Sequence, residues 1–377
     1  MGFTFRIGLE EGGTCAIVLT IAMPSIDSAN QFQRCVFMSK LMQCYRRKIL
    51  KRRDFLFSAS LSVLASGVTQ VSASTLASIE PAEDKSSSVR FGIIADLHHD
   101  FTFDAPKRLQ AFVDEMNRLK PDFILELGDF CCPVENNTAI VDIWNHFHGR
   151  KYHVIGNHEM DQKCSREQVV RFWGMPGRYY SFDRGGFHFV VMDGNDPDPQ
   201  NPGERYPSGI DLEQLEWLSE DLSSTRLPTI VFCHQGFDNT AVRNRESVRT
   251  LLENTPSRNG RGKVIAVFSG HFHSDYYNLI NGIHYIQINS ATYQWCGKNV
   301  NNDSFGTAAE KLHPLIKYMA FYQDPLWAYV EVSHKGVLEI HGRRSGWLGK
   351  SPHDLHLVEH EWDHSSVPSI TDRRLQW

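Results

Sequence analysis

Short apolar runs alternate with helical patterns from Val89 onward, and this alternation constrains the fold more than any other feature of the chain. The runs FGIIAD, DFILELGD and YHVIGN have the length and composition of buried strands. Between them lie PKRLQAFVDEMNRLK and TAIVDIWNHFH, which have the patterns of helices. Strands that alternate with helices form a parallel sheet whose faces the helices cover. The sequence therefore predicts an α/β fold.

Antiparallel strand pairs are predicted in the second half of the chain. YYSFDRGGFHFVVMD predicts a hairpin that turns at DRGG, and YYNLINGIHYIQIN predicts another that turns at Asn281-Gly282. LWAYVEVS and GVLEIHG predict two further strands. We expect mixed β-sheets that pack together as a sandwich with helices outside, in one domain over residues 85–345. Residues 296–325 are interpreted as an insertion, and residues 346–377 as a polar C-terminal tail at the surface.

The first 73 residues are predicted to direct export. Basic residues from Arg46 to Arg53 precede an apolar stretch that is too short and too rich in serine to span a bilayer. A VSA-type cleavage site follows, and KRRDFLF resembles a bacterial twin-arginine signal. We expect residues 38–73 to be a signal peptide that engages the twin-arginine export machinery, and the mature protein to be periplasmic or secreted. A basic N-terminus without a targeting role is the alternative.

Residues 1–37 precede this signal and are interpreted as a mis-called extension, with Met38 or Met42 as the true start. The acidic balance of the rest argues against nucleic-acid binding. The chain has 39 basic and 44 acidic residues, of which the first 73 residues hold 9 and 4, so 30 and 40 remain. Nonspecific nucleic-acid binding depends on clustered Lys and Arg. We therefore expect no nucleic-acid partner, and the sequence shows no transmembrane helix.

Polar residues that bind metals or transfer protons follow each predicted parallel strand. The first three strands are followed by Asp96 and His98, by Asp129, and by Asn157 and His158. Two further predicted strands, TIVFCHQ and VIAVFSGHFH, lead to His234 and to His271 and His273. In open α/β sheets, ligands gather at the carboxyl ends of the strands, so we expect these side chains to meet. Taken singly, each has a structural explanation, such as a helix cap or a buried histidine with its hydrogen bonds satisfied. One shared site explains all of them together, and 18 histidines favour a metal-binding function.

The order of these blocks, DLH, GD, GNHE, H and GHFH, resembles the calcineurin-like metallophosphoesterase superfamily over about residues 90 to 290. The resemblance implies a four-layer αββα fold and two divalent metal ions bridged by an aspartate and a hydroxide. It assigns Asp96, His98, Asp129 and His273 to one ion, and Asp129, Asn157, His234 and His271 to the other. Oxygen and imidazole ligands without thiolates suit Mn, Fe or Zn.

The resemblance also implies a reaction, the hydrolysis of phosphate monoesters or diesters by the bridging hydroxide. His158 would protonate the leaving oxygen as general acid, and Glu159 would fix its ring and support its protonated form. A nucleotide-type pyrophosphohydrolase on the same site is an alternative. An inactive metal-binding module is an alternative from another class, although such a module has no need of the acid.

Departures from the family pattern narrow the substrate. Protein Ser/Thr phosphatases of this superfamily carry GDxxDRG, whereas this chain has GDFCCPVE, which argues against a protein substrate and for a small phosphorylated molecule. The string DLHHD looks closer to bacterial phosphodiesterase-like and unclassified members. Three further candidates for substrate binding are His99, Tyr293 and Trp295. Tyr293, Trp295 and Lys298 follow the last predicted hairpin, where they are candidates to line a pocket for a base or sugar. The alternatives are a solvated His99 and an amphipathic packing edge formed by Tyr293, Trp295 and Lys298.

Overall fold

The computed structural model describes residues 88–201, 203–255, 263–357 and 366–377, so the extension predicted over 1–37 and the signal peptide predicted over 38–73 lie outside the described residues. In the described ranges the strands are β1 (Ser88–Ile94), β2 (Phe123–Glu126), β3 (Arg150–His153), β4 (Tyr180–Arg184), β5 (Phe187–Met192), β6 (Thr229–Cys233), β7 (Val264–Ser269), β8 (Tyr276–Ile280), β9 (Ile283–Gln287), β10 (Tyr293–Trp295), β11 (Met319–Tyr322), β12 (Ala328–Ser333), β13 (Val337–His341), β14 (Trp347–Leu348) and β15 (Arg373–Gln376).

The α-helices of the same ranges are α1 (Ala105–Leu119), α2 (Thr138–Asn145), α3 (Arg166–Trp173), α4 (Leu212–Ser224), α5 (Arg245–Glu253) and α6 (Gly306–Leu312). Short 3₁₀ helices occupy Glu135–Asn137, His158–Lys163 and Ile316–Tyr318. Among the described residues, no helix has both the length and the apolar character needed to cross a membrane.

Two six-stranded mixed sheets form the centre of the fold. The first has the order β15-β13-β12-β1-β2-β3, and the second has the order β4-β5-β6-β7-β9-β8. Strands β1, β2 and β3 are parallel, as are β5, β6, β7 and β9, while the remaining pairs are antiparallel. Both predicted hairpins are present, with turns between β4 and β5 and between β8 and β9.

Aromatic side chains fill the space between the two sheets. Phe91 of the first sheet contacts Phe189, Phe232 and Phe268 of the second, with ring centroids 6.1, 5.7 and 5.8 Å away. Edge-to-face contacts of this kind stabilise a buried core beyond the area they bury. The sandwich is therefore held by side chains of strands that were predicted from their apolar runs.

Helices cover the outer faces of both sheets. Because successive strand residues point to opposite faces, Gly92 faces away from the sandwich core. A Cβ atom there would lie 2.2 Å from Sδ of Met116, so the missing side chain lets α1 pack directly on the first sheet. On the second sheet, Leu218 of α4 and Val248 of α5 belong to the cluster that covers Val231. The mixed α/β sandwich with flanking helices is thus confirmed.

The segment predicted as an insertion over residues 296–325 contains α6 and contributes β11 to a small third sheet. Strands β10, β11 and β14 pair antiparallel in that order, and α6 precedes β11. We call this part of the chain, residues 293–322 with β14, the small sheet. It has its own hydrophobic cluster, formed by Tyr293, Ile316, Met319 and Phe321.

The polar tail predicted over 346–377 contains, in its last residues, a strand of the first sheet. Strand β15 pairs with β13 and extends the first sheet, and Ile370 just before it is buried. Asp275 binds the same segment, since Thr371 N donates to its Oδ2 over 3.0 Å. The sequence RRLQ contains a single apolar residue, so its pairing at the sheet edge left no apolar run by which to predict it.

Candidate metal centre

The carboxyl ends of β1, β2, β3, β6 and β7 bring the seven predicted metal ligands to one end of the sandwich. Asp96 and Asp129 lie at its centre and are buried. Nε2 of His273 is 3.3 Å from Oδ1 of Asp96, and Nε2 of His234 is 3.0 Å from Oδ2 of Asp129. Nε2 of His98 lies between the two carboxylates, 3.8 Å from Asp96 and 3.7 Å from Asp129.

Ligand atoms of these side chains form overlapping groups. Asp96, His98 and His273 form one group, Asp129, His234 and His271 form a second, and His98, Asp129 and His158 form a third, with the ligand atoms of each group within 4.8 Å of one another. Asp129 belongs to two of the groups, and its Oδ2 faces both His98 and His234. This position between two sets of ligands is the one that a bridging carboxylate requires.

The backbone at this end of the sheets is strained. Five of the residues, Asp96, His98, Asp129, His271 and His273, have left-handed conformations with φ between 50 and 79°. Each costs about 1–2 kcal/mol in a residue with a side chain. Such strain persists only where the surrounding structure enforces it, and it is found mostly at functional sites.

Two glycines allow the carboxylates to approach the backbone closely. A Cβ atom on Gly156 would lie 2.2 Å from Oδ1 of Asp129, and one on Gly270 would lie 2.5 Å from Oδ2 of Asp96. Neither position has space for a side chain. The glycines in GNHE and GHFH therefore serve the packing of the centre itself.

Hydrogen bonds to main-chain carbonyls fix the tautomers of two histidines. Nδ1 of His234 lies 2.8 Å from the Leu127 carbonyl oxygen, and Nδ1 of His273 lies 2.9 Å from the Tyr293 carbonyl oxygen. Because a carbonyl only accepts, each Nδ1 carries the hydrogen, and the lone pair of the neutral ring lies on Nε2. Metal-binding histidines are commonly oriented in this way by their second nitrogen.

A metal ion fits the donor set that results. In the buried centre, carboxylate oxygens face imidazole nitrogens. Two hydrogen-bond acceptors repel each other unless a proton or a cation lies between them. Oδ1 of Asn157 is buried and makes no hydrogen bond with the described residues. An unsatisfied acceptor costs about 1–3 kcal/mol, which a bound cation would offset. The Asn157 amide therefore has the environment of a neutral ligand.

The charges of the centre are tightly linked. Burial raises the pKa of Asp129, but the charges of His234, His158 and His98 outweigh burial and hold it well below its usual range. Burial lowers the pKa of His234, but Asp129 and Asp96 outweigh that effect and raise it to about 10. Burial lowers the pKa of His98 to about 4. The carboxylates therefore stay charged and attract positive charge to the centre.

Asp161, not Glu159, holds the imidazole of His158. Nδ1 of His158 lies 2.7 Å from Oδ2 of Asp161, and the Tyr206 hydroxyl donates to Oδ1 of Asp161 over 3.0 Å. His158 begins a 3₁₀ helix, in which the residue three positions later returns to the same side of the chain. Sequence analysis missed both residues. The spacing could have revealed Asp161, but Tyr206 comes from a loop without a recognisable pattern.

Glu159 has a different position from the one predicted. Its buried carboxylate accepts the main-chain N–H groups of Asp129 over 3.1 Å, Phe130 over 2.5 Å and Gly156 over 2.8 Å. It therefore ties the loop after β2 to the loop after β3. The prediction that Glu159 fixes the ring of His158 is wrong, because adjacent side chains leave the backbone in different directions.

The three predicted substrate-binding residues have different positions. Trp295 is partly exposed and lines the cavity over the centre. Tyr293 also lines it, but its ring is buried against His98 and His273, with centroids 5.3 and 4.7 Å away. His99 is half-buried and is not part of the cavity wall, so the structure does not support substrate contact there.

The cavity over the centre has a volume of about 510 Å³. Its wall includes Asp129, His98, His158, His271 and His273 from the centre. It also includes Phe101, Asp161, Arg205, Tyr206, Phe272, Tyr293, Gln294, Trp295, Lys298, Leu315 and Met319. A cavity of this size accommodates a small organic molecule in addition to a phosphate group.

Residues 89–275 match a family model described as calcineurin-like phosphoesterase. The matched region is just under half of the chain and contains every residue predicted as a metal ligand. It agrees with the superfamily that the order of the motifs resembles. No curated protein sequence matches the chain.

The chain is similar to solved structures of several proteins that differ in their described roles. A dimetal phosphatase from Danio rerio has 15% identity and a TM-score of 0.47, covering 70% of this chain and 99% of its own. GAP50, the anchor in the inner membrane complex of Plasmodium, has 15% identity and a TM-score of 0.44, with 71% and 91% covered. A putative 5'-nucleotidase from Staphylococcus aureus has 13% identity and a TM-score of 0.41, with 72% and 57% covered. These likenesses are too distant to assign a substrate.

Proposed function

We propose that the protein is a metal-dependent hydrolase of small phosphate esters, with a pair of divalent metal ions held around Asp129. The observation that carries this proposal is the position of the Asp129 carboxylate, which faces His98 on one side and His234 on the other. The family match over residues 89–275 supports the reaction class. Asp96, His98, Asp129 and His273 would hold one ion, and Asp129, Asn157, His234 and His271 would hold the other.

Divalent ions bound there would supply Lewis acidity, which draws in phosphoryl oxygens and makes water a better nucleophile. The protein's own contribution begins with Asn157. As the one neutral oxygen ligand among the seven, it limits the negative charge of the centre, which favours an anionic substrate. Glu159 fixes the loops that carry Asp129 and Asn157, because it binds N–H groups from both.

His158 is proposed to protonate the oxygen of the leaving group. It lines the cavity, and its side chain is 30% exposed, so it reaches a bound substrate. Because Nδ1 is engaged by Asp161, Nε2 is the nitrogen that can donate. Burial lowers the pKa of His158, but Asp129 and Asp161 outweigh burial and raise it above its ordinary value. The raised pKa favours the protonated imidazole that general acid catalysis requires.

The experiment that tests this function is metal removal and replacement. Protein treated with a chelator is dialysed, reloaded separately with Mn, Fe or Zn, and assayed with phenyl phosphate and with bis(4-nitrophenyl) phosphate. We expect turnover to disappear with the metal and to return with at least one of the three ions, and the two esters separate monoesterase from diesterase activity. Full turnover by protein shown to contain no metal would contradict the proposal.

Export through the twin-arginine pathway is proposed on the sequence alone. The string KRRDFLF and the small residues of VSAS support it. The protein would then act in the periplasm or outside the cell on a substrate it meets there.

A further inference from the structure

One wall of the cavity belongs to the small sheet and not to the two main sheets. Its apolar lining residues, Phe101, Tyr293, Trp295, Leu315 and Met319, all belong to the hydrophobic cluster of the small sheet or pack against it. If the leaving group were a polyol, it would have no apolar surface to cover this wall, and the wall would stay in contact with water. The wall therefore favours a leaving group with an apolar face.

Two aromatic rings contact the imidazole of the proposed general acid. The Phe101 ring lies 5.3 Å from the ring of His158, and the Tyr206 ring lies 4.9 Å from it. Because His158 is proposed to protonate the leaving oxygen, these rings border the part of the cavity in which the leaving group would bind. Trp295 continues the aromatic surface along the small sheet. Planar aromatic groups stack well on such surfaces.

Two cations, Lys298 and Arg205, belong to the wall of the same cavity. Lys298 follows a turn at Gly297, where φ is 84°, and forms no ion pair among the residues that the structure describes. The Arg205 guanidinium stacks on Tyr206, 5.0 Å from the ring centroid, and its side chain is 79% exposed. Its nearest acid, Asp161 at 3.7 Å, already binds His158 and Tyr206.

We propose that the small sheet, with Lys298 and Arg205, forms a subsite for an aromatic leaving group that carries a negative charge of its own. The inference rests on the proposed phosphoesterase function and specifies its substrate class. Trp295 and Phe101 bind the ring, and the two cations bind the additional anionic group. An aryl carboxylate and a nucleotide both have this chemistry, so the test includes one substrate of each kind.

The test compares kcat/KM for four phosphate compounds with the metal-loaded protein. Phenyl phosphate has a neutral aromatic leaving group, 4-carboxyphenyl phosphate has a charged one, ADP releases AMP, and glycerol 1-phosphate has no ring. For Lys298→Gln we expect the ratio of 4-carboxyphenyl to phenyl phosphate to fall about 10-fold, as for the loss of a charge-assisted hydrogen bond. The ratio of ADP to phenyl phosphate should fall in the same way if nucleotides use the subsite.

Trp295→Leu tests the binding of the aromatic ring of the substrate, and Lys317→Gln is the matched control for Lys298→Gln. Trp295→Leu should lower kcat/KM for the aryl substrates relative to glycerol 1-phosphate. Lys317 belongs to the small sheet and stacks on Tyr318, but it is not part of the cavity wall, so Lys317→Gln should keep every ratio. Equal effects of Lys298→Gln on all four compounds, or no effect, would overturn the subsite. Inorganic phosphate should inhibit Lys298→Gln as it inhibits the unmodified protein.

Failure of the proposed function is distinguishable from failure of the subsite. If no compound is hydrolysed after metal loading, the hydrolase proposal is wrong, and binding of 4-hydroxybenzoate and AMP is then measured by calorimetry. Binding that weakens in both Lys298→Gln and Trp295→Leu supports the subsite without any turnover. No binding to the unmodified protein overturns it. Thermal unfolding of each variant checks that the small sheet is intact.

Discussion

Oδ2 of Asp161 lies 2.7 Å from Nδ1 of His158, so the carboxylate that orients the proposed acid comes three residues after it. The same carboxylate accepts the Tyr206 hydroxyl, which fixes its own rotamer. Oδ1 of Asp129 accepts the main-chain N–H of His158 over 2.7 Å, which links the acid to the centre. The acid is therefore positioned from two sides, one of them the proposed bridging ligand.

Asp161→Asn should reduce acid catalysis and leave metal binding intact. Loss of the negative charge lowers the pKa of His158, so the alkaline limb of the kcat/KM profile should move to lower pH. Turnover of phenyl phosphate, whose leaving group is basic, should fall more than turnover of 4-nitrophenyl phosphate, whose leaving group departs readily as an anion.

His158→Asn is the reference for this comparison. We expect turnover of phenyl phosphate to fall by about 10²–10⁴-fold in this variant, the range that a general acid contributes. If both esters lost equally in both variants, the acid role of His158 would be incorrect.

Glu159→Gln should act on stability more than on the leaving-group preference. The amide replaces one oxygen that accepts buried N–H groups by a nitrogen that only donates, which should cost about 1–3 kcal/mol in the free energy of unfolding. Urea unfolding measures this, with the exposed Glu167→Gln as control. A pattern of leaving-group dependence like that of Asp161→Asn, without loss of stability, would restore Glu159 to the role predicted from sequence.

His188 should make stability depend on pH. Nδ1 lies 2.6 Å from Asp183 and Nε2 lies 2.8 Å from Asp221. Burial lowers the pKa of His188, but the two carboxylates outweigh burial and raise it. Because the pKa is raised in the folded state, protonated His188 stabilises the fold fully at pH values below its pKa in the unfolded chain, about 6.5. This stabilisation is lost as the pH rises through the pKa of His188 in the folded protein.

The difference in Tm between the unmodified protein and His188→Gln should therefore be largest in acid and shrink toward alkaline pH. A difference that grows with pH would show that the ring is held neutral.

Much of the centre could be predicted because its ligands follow apolar runs directly. Asp96, Asp129 and Asn157 come just after strands of the first sheet, and parallel strands present their carboxyl ends together. Strands β2, β6 and β7 could be predicted from their apolar runs because both of their faces are buried. Tyr206 could not be predicted, because it lies in a loop whose path depends on distant contacts, such as the ion pair of Arg243 and Glu204 at 2.7 Å.

The wall formed by the small sheet was also hidden in the sequence. Trp295 and Lys298 were candidates for a pocket, but Arg205 comes from a segment without regular periodicity, and only the fold places it in the same cavity. Strand β15 was missed for a related reason, since an edge strand needs few apolar residues. Apolar sequence patterns indicate burial, whereas Lys298 and Arg205 are exposed and β15 contains no buried residue.

Replacing Arg52 and Arg53 with Lys should keep the protein in the cytoplasm of a bacterial host that has the twin-arginine pathway. We expect that pathway to distinguish paired guanidinium groups from ammonium groups, which differ in geometry and hydrogen bonding. Cell fractionation with an antibody against the folded domain measures the distribution. Unchanged recovery outside the cytoplasm would contradict the proposed export route.

The most direct test of the central claim is the metal content of Asp129→Asn. Metal-loaded unmodified protein and the variant are dialysed together and analysed by elemental analysis, with Asp198→Asn as a control for an aspartate outside the centre. We predict two equivalents of metal in the unmodified protein and the control, and loss of most metal and of activity in Asp129→Asn, because Oδ2 of Asp129 faces His98 of one ligand group and His234 of the other. Two equivalents retained by Asp129→Asn would contradict the bridging role on which the account depends.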